Sequence, residues 1–161
     1  MMQATDDPPR RFTADEVMQM VAAGILDPDD RLELIDGELL PMPPQDPPHA
    51  SSVERLASRL YRAYAPAYRV RPQLPLAIDA CQLPEPDLVV ARGGENTFDR
   101  RHPTGADTVL VVEVSDTTVR RDLRKAGIYA AGGVPCYWRL DLASRRLEVY
   151  SGPRADGSWA L

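Results

Sequence analysis

The apolar positions of the chain change period several times, and each change marks an element. After a polar, proline-bearing start, Val17, Met20 and Val21 recur at helical spacing. Thr13 precedes that run, Glu16 stands three residues later in the capping-box position, and Gly24 follows. This predicts a helix over 14–23. In RLELIDGELLPM the period shortens to two. Leu32 and Leu34 alternate with Glu33 and Ile35, and Asp36-Gly37 separates them from Leu39, which predicts a hairpin. PMPPQDPP then ends regular structure. From Pro48 to Tyr64 the helical period returns. Val53, Leu56, Ala57, Leu60, Tyr61 and Tyr64 form one stripe, and Arg55, Arg59 and Arg62 lie off it.

The second half alternates short strands with one more helix. Residues 68–79 read as one or two strands interrupted by Pro72 and Pro75, and DLVVA at 87–91 as a short apolar strand. RGGENTFDRRHPTGAD is a long loop of the kind that often carries function. TVLVVEV at 108–114 is the most apolar run, as expected of a central strand buried on both faces. Thr117 or Thr118 can cap the next helix, which ends at Gly132-Gly133. Its expected buried stripe is Val119, Leu123, Ala126 and Ala130. Asp122, Lys125 and Tyr129 form a neighbouring stripe, and Arg120, Arg121 and Arg124 are expected in water. CYWRLDL and RLEVYS close the chain as two strands with a turn at Ala143-Ser144. The fold class is therefore α/β: a mixed sheet flanked by helices, with an N-terminal helix and a β-hairpin. Residues 1–11 read as a flexible tail and 12–161 as one domain, which suits a length of 161 residues.

Composition narrows the function classes. At 43% hydrophobic and 27% charged the chain is an ordinary globular one. No apolar run spans a bilayer, and the polar start is no signal peptide, so the cytoplasm is the default compartment. Cys81 and Cys136 form no CxxC pair and have no histidine at zinc spacing. A net charge of −5 argues against a protein that coats nucleic acid nonspecifically, but leaves room for a local basic strip. Eighteen of the nineteen basic residues are arginine, and Lys125 is the sole lysine. Arginine replaces lysine wherever a solvated cation suffices. It does not where a compact ammonium must stand beside a metal or a phosphate.

Two carboxylates stand where such an ammonium could join them. Asp87 opens the DLVVA strand and Glu113 lies near the end of TVLVVEV. If these strands pair antiparallel across the long loop, the two acids meet at one end of the sheet. A carboxylate in so apolar a setting is costly unless paired or metal-bound, and two together repel without a cation. Magnesium, held by one or two carboxylates plus water and phosphate oxygens, fits that need. Lys125 can lean back from the following helix to join them. The chemistry such a set serves is phosphodiester hydrolysis, with the ammonium orienting water or meeting charge on the phosphate. Glu33 on the hairpin is a candidate added ligand or acceptor. Each residue has a plainer alternative: Asp87 as a strand cap, Glu33 and Lys125 as solvated surface, His49 as a helix-terminal or packing residue, and Tyr129 as core.

The ordered set RLELIDGEL, a proline-rich loop with His49, PEPDLVV, VLVVEVSDTT and RRDLRKAGIYAAGGVPCYWRLDL, closed by EVY, resembles the Uma2 family of bacterial endonucleases. That family lies in the PD-(D/E)xK restriction-endonuclease-like superfamily, and the resemblance runs from Phe12 to Tyr150. It implies that Pro86-Asp87 is the PD half-motif and Glu113 the acid of the second half. Ser115 stands where the strand lysine of that half would be, and Lys125 matches a lysine moved to the next helix. Glu33 matches the acid of the ELIDGE segment, and His49 and Tyr129 match accessory positions. Ser115-Asp116-Thr117-Thr118 departs from the serine-proline turn common in relatives. The implied activity is a Mg2+-dependent, or Mn2+-dependent, DNA endonuclease with no membrane partner and with a homodimer as one expectation. Two alternatives stand beside it: a silent nuclease-fold binding or regulatory module, which the acidic charge favours, and a nuclease acting on RNA or branched DNA.

Overall fold

The computed structural model describes residues 8–115 and 119–160; the side chains of residues 119–122 stand outside that description. Helix α1, Ala14–Ala22, starts where its cap predicts. The Thr13 hydroxyl accepts from the Glu16 N–H at 3.2 Å, and Glu16 Oε2 accepts from the Thr13 N–H at 2.9 Å. Strands β1, Leu32–Ile35, and β2, Glu38–Pro41, form the hairpin. Its two central residues, Asp36 (φ 51°) and Gly37 (φ 76°), are both left-handed, as a tight turn of this kind requires. Glu33, Leu34 and Ile35 are all buried, so the hairpin is covered on both faces despite its alternating sequence.

Helix α2, Pro47–Tyr64, begins inside the proline-rich stretch. Pro47 and Pro48 occupy first-turn positions, where a missing N–H costs nothing. Asp46 caps the helix, its Oδ1 accepting from the His49 N–H at 3.0 Å. Asp46→Ala is expected to lower stability by about 1 kcal/mol in urea unfolding.

A six-stranded sheet follows, in the order β3 (Tyr68–Pro72), β4 (Leu88–Arg92), β5 (Thr108–Ser115), β6 (Cys136–Asp141), β7 (Arg146–Pro153), β8 (Trp159–Ala160). All neighbours are antiparallel except β5 and β6, which run parallel across helix α3, Val119–Ala131. Val53 and Leu60 of α2 pack on one face, against Val70, Leu88, Val90 and Val112. Ala126 and Tyr129 of α3 pack on the other, against Leu76, Val89, Val111 and Tyr137. The apolar runs of β4 and β5 are thus buried on both sides, as their lack of alternation predicts.

Several expectations are corrected. Ala126 and Ala130 are buried as expected, but Leu123 is 52% exposed, and Lys125, Ile128 and Tyr129 join the buried side of α3; the side chain of Val119 lies outside the described residues. Arg124 is not merely solvated: its Nε donates to Asp36 Oδ2 at 2.8 Å, tying α3 to the hairpin turn. Tyr61 leaves its stripe, 44% exposed, and its hydroxyl donates to the Val70 carbonyl at 3.0 Å. The two-residue strand β8 was not predicted. The Thr117 or Thr118 cap, and most of the expected tail, fall outside the described residues. Among the described residues no helix is long and apolar enough to cross a membrane.

Candidate active site

The antiparallel register of β4 and β5, with Leu88 opposite Val112, sets Asp87 beside Glu113 at one end of the sheet. The Asp87 N–H points at Glu113 Oε2 at 3.4 Å. Asp87 Oδ2 accepts from the Val114 N–H at 2.8 Å and lies 3.2 Å from His49 Nε2. The first turn of α2 therefore delivers His49 to this corner, and the Asp46 cap fixes that turn.

Helix α3 delivers two groups to Glu113. Lys125 Nζ lies 2.8 Å from Glu113 Oε1, and the Tyr129 hydroxyl donates to the same oxygen at 2.6 Å. Residues four apart share a helix face, so one stretch of α3 presents both. Lys125 Nζ also lies 2.9 Å from Glu33 Oε2, which brings the hairpin into the cluster. The hairpin is held there by the backbone pairing of Leu34 with Leu83, just ahead of Asp87. Its turn is held by Asp36, bonded to both Gln82 and Arg124.

All six sequence candidates, Glu33, His49, Asp87, Glu113, Lys125 and Tyr129, thus meet at one corner. Relative exposure is 7% for Asp87, 4% for Glu113, 5% for Lys125 and 2% for Glu33. So low a polarity of surroundings makes every charge contact strong. Burial works against the Lys125 ammonium, but the charges of Glu113 and Glu33 outweigh it, and its pKa is raised. The hydrogen bond to Asp87 raises His49 against the opposing effect of burial. Burial, then the charge of Glu113, pushes Tyr129 far up, so its hydroxyl stays a neutral donor.

Glu85 also belongs to this corner, and sequence reasoning passed over it. Its N–H points at Glu33 Oε2 at 3.4 Å, and burial followed by the charge of Glu33 raises its carboxyl pKa. Its place in PEPDLVV, two residues before Asp87, was the available signal. His102 lies elsewhere, half-buried beside Arg71.

The donor set suits a hard divalent cation. Asp87 commits Oδ2 to its neighbours, while its Oδ1 accepts no hydrogen bond among the described residues. Among those residues no three His, Cys, Asp or Glu side chains close into a metal cage. Magnesium does not require one: one or two carboxylates, with water and phosphate oxygens completing the shell, is its common mode.

The family model Uma2, described as "Putative restriction endonuclease", matches residues 14–161. Among solved structures the chain is similar to "a putative nuclease belonging to DUF820" from Anabaena variabilis ATCC 29413. Identity is 17% and the TM-score 0.67, over 89% of this chain and 80% of that one. A likeness at that identity speaks for the fold: a mixed sheet between helices with a helix and hairpin ahead of it. Curated proteins gave no match.

Proposed function

The chain belongs to the Uma2 family, and on that premise we propose that it is a divalent-metal-dependent endonuclease that hydrolyses phosphodiester bonds in DNA. The observation that carries the proposal is the meeting of Asp87 and Glu113, from adjacent strands, with the chain's only lysine. In this reading Asp87 and Glu113 would hold magnesium or manganese. Bound there, the ion supplies positive charge at the phosphate and a water of lowered pKa. Lys125, kept protonated by two carboxylates, serves as a fixed positive charge that orients the water and meets charge developing on the phosphate oxygens. It has no proton vacancy with which to act as a base. Tyr129 positions Glu113 through its hydrogen bond, and His49 does the same for Asp87. Glu33 fixes the ammonium from the opposite side.

Asp87→Ala is expected to weaken Mg2+ or Mn2+ binding by more than about 100-fold in calorimetric titration, beyond the loss seen when only an outer-shell partner is removed. Cleavage of a panel of duplex, branched and single-stranded DNA and RNA should disappear with it. Wild-type protein that binds neither ion and leaves the whole panel intact would show the proposal wrong. Cleavage confined to RNA would keep the chemistry and replace the substrate.

A further inference from the structure

The long loop after β4 folds over a group of arginines that the proposed mechanism leaves unused. Arg71 lies on the edge strand β3, opposite Val89. Val89 belongs to the core beneath α3, so Arg71 stands on that same face of the sheet. Arg69, opposite Ala91, shares the face two residues further along. In the other direction Gln73 donates its N–H to the Asp87 carbonyl at 3.1 Å. Arg71 is therefore about 7 Å along the strand from the row that carries Asp87.

Two guanidinium groups stack on Phe98, Arg71 at 5.4 Å and Arg101 at 5.3 Å from the ring centre. Their electrostatic situations differ. Arg101 is neutralised by a two-pronged contact with Asp107, at 2.6 and 3.0 Å. Arg71 is half-buried, has no ion pair among the described residues, and its Nε is buried without a hydrogen-bond partner. Burial, then the like charge of Arg69, works against its protonated form. Burial and Arg71 in turn disfavour a charge on His102. Among the described residues no carboxylate pairs with Arg71 to offset the repulsion.

A partly desolvated cation with an idle buried donor is costly unless an anion answers it. A guanidinium is a planar fork that matches two oxygens of a phosphate, and the contact with the Phe98 ring already restrains it. A nucleic-acid strand approaching Asp87, Glu113, Glu33 and Glu85 meets mostly negative groups, so it needs a positive anchor close by. Successive phosphates on one strand recur every few ångströms of helix rise, which lets one lie at the carboxylates while a neighbour lies at the arginines. Resting on the nuclease reading, we infer that Arg71 and Arg69 form a binding site for a backbone phosphodiester of the nucleic-acid substrate.

The test uses the full chain. Binding of a short labelled DNA duplex is followed by anisotropy in EDTA over a range of salt, and the arginine Nε–H signals are followed by NMR as inorganic phosphate is added. Wild type should bind the duplex, and phosphate should move the Arg71 Nε–H signal. Arg71→Gln should weaken DNA binding about tenfold or more and reduce the salt slope by about one. Arg71→Lys should recover only part of the loss. Where DNA is cleaved, Arg71→Gln should raise KM and leave kcat near wild type. Its thermal midpoint should fall only slightly, because the side chain satisfies no protein acceptor and gives up only its contact with the Phe98 ring. A lower midpoint with unchanged DNA affinity and KM would overturn the inference and make Arg71 a packing residue. Normal binding and cleavage by Arg71→Gln would sink it while leaving the nuclease reading intact. A phosphate response without any nucleic-acid binding by wild type would overturn both.

Discussion

Lys125→Met is expected to abolish cleavage and to lower the unfolding free energy by about 3–5 kcal/mol, the usual result of removing one partner from a buried ion pair. The side chain is buried and bridges Glu113 at 2.8 Å and Glu33 at 2.9 Å. A methionine fills much of its volume and answers neither charge. Loss of a preorganised charge aimed at the reacting phosphate should cost at least about 100- to 1,000-fold in kcat. The pH dependence separates the two effects. The lysine pKa is raised in the folded protein, so its stabilising contribution is complete below the unfolded value of about 10.4 and is lost only as pH rises through the higher folded value. Wild type should therefore show no stability change from this group between pH 5 and 9. In Lys125→Met, protonation of the stranded carboxylates relieves the repulsion, so the deficit should shrink as pH falls from 8 towards 5. Urea unfolding across that range measures it. A constant deficit would mean that lost packing, not lost charge, is responsible. Lys125→Arg serves as the companion: it keeps the charge and some of the stability, but a broad guanidinium cannot occupy an ammonium's place between two carboxylates, so cleavage should still fail.

What the sequence announces and what it conceals follow from the range of the forces involved. The capping box at Thr13 and the Asp36-Gly37 turn are settled by contacts within a few residues, and both form as read. The meeting of Asp87 with Glu113 is longer in range, yet readable, because an antiparallel pair joined by one loop must set the start of one strand against the end of the other. Helix α3 is different. Leu123 and Lys125 are about 200° apart on a helix, so a narrow buried face cannot hold both. Hydropathy alone chooses Leu123. The fold chooses Lys125, because Glu113 and Glu33 wait beneath α3 and a buried carboxylate without a partner costs more than one exposed leucine. The bond from Arg124 to Asp36 is concealed for the same reason: its partner lies 88 residues away and only the tertiary fold brings it near. Strand β8 is two residues long, too short to leave a periodic trace.

The second large effect expected is on stability, from Gly105→Ala at the far end of the sheet from the carboxylates. Gly105 opens a short 3-10 turn, Gly105–Asp107, that leads into β5, and it is buried. A Cβ there would stand 1.9 Å from the carbonyl oxygen of Gly132, just past the end of α3, and 2.9 Å from its carbonyl carbon. The obstacle is backbone, so no rotamer change relieves it. The same junction is tight on its other side, where a Cβ on Gly132 would stand 2.6 Å from Ile78 Cγ2. The neighbouring Ala77 donates its N–H to the Pro103 carbonyl at 2.9 Å. Three segments therefore meet with no slack, and one methyl group must push α3 away from β5. The expected cost is about 3 kcal/mol, towards the upper end for overpacking. Gly94→Ala is the control: it is exposed, with nothing within 4 Å of its added Cβ, and should change stability by less than about 1 kcal/mol. Because β5 carries Glu113 and α3 carries Lys125, the displacement should be passed along both elements to these residues. Gly105→Ala should thus lose cleavage activity at temperatures where it is still folded, since small displacements of a charged group from its productive geometry are costly. Equal urea midpoints for Gly105→Ala and Gly94→Ala would show that the close approach of these two backbones does not hold α3 against the sheet.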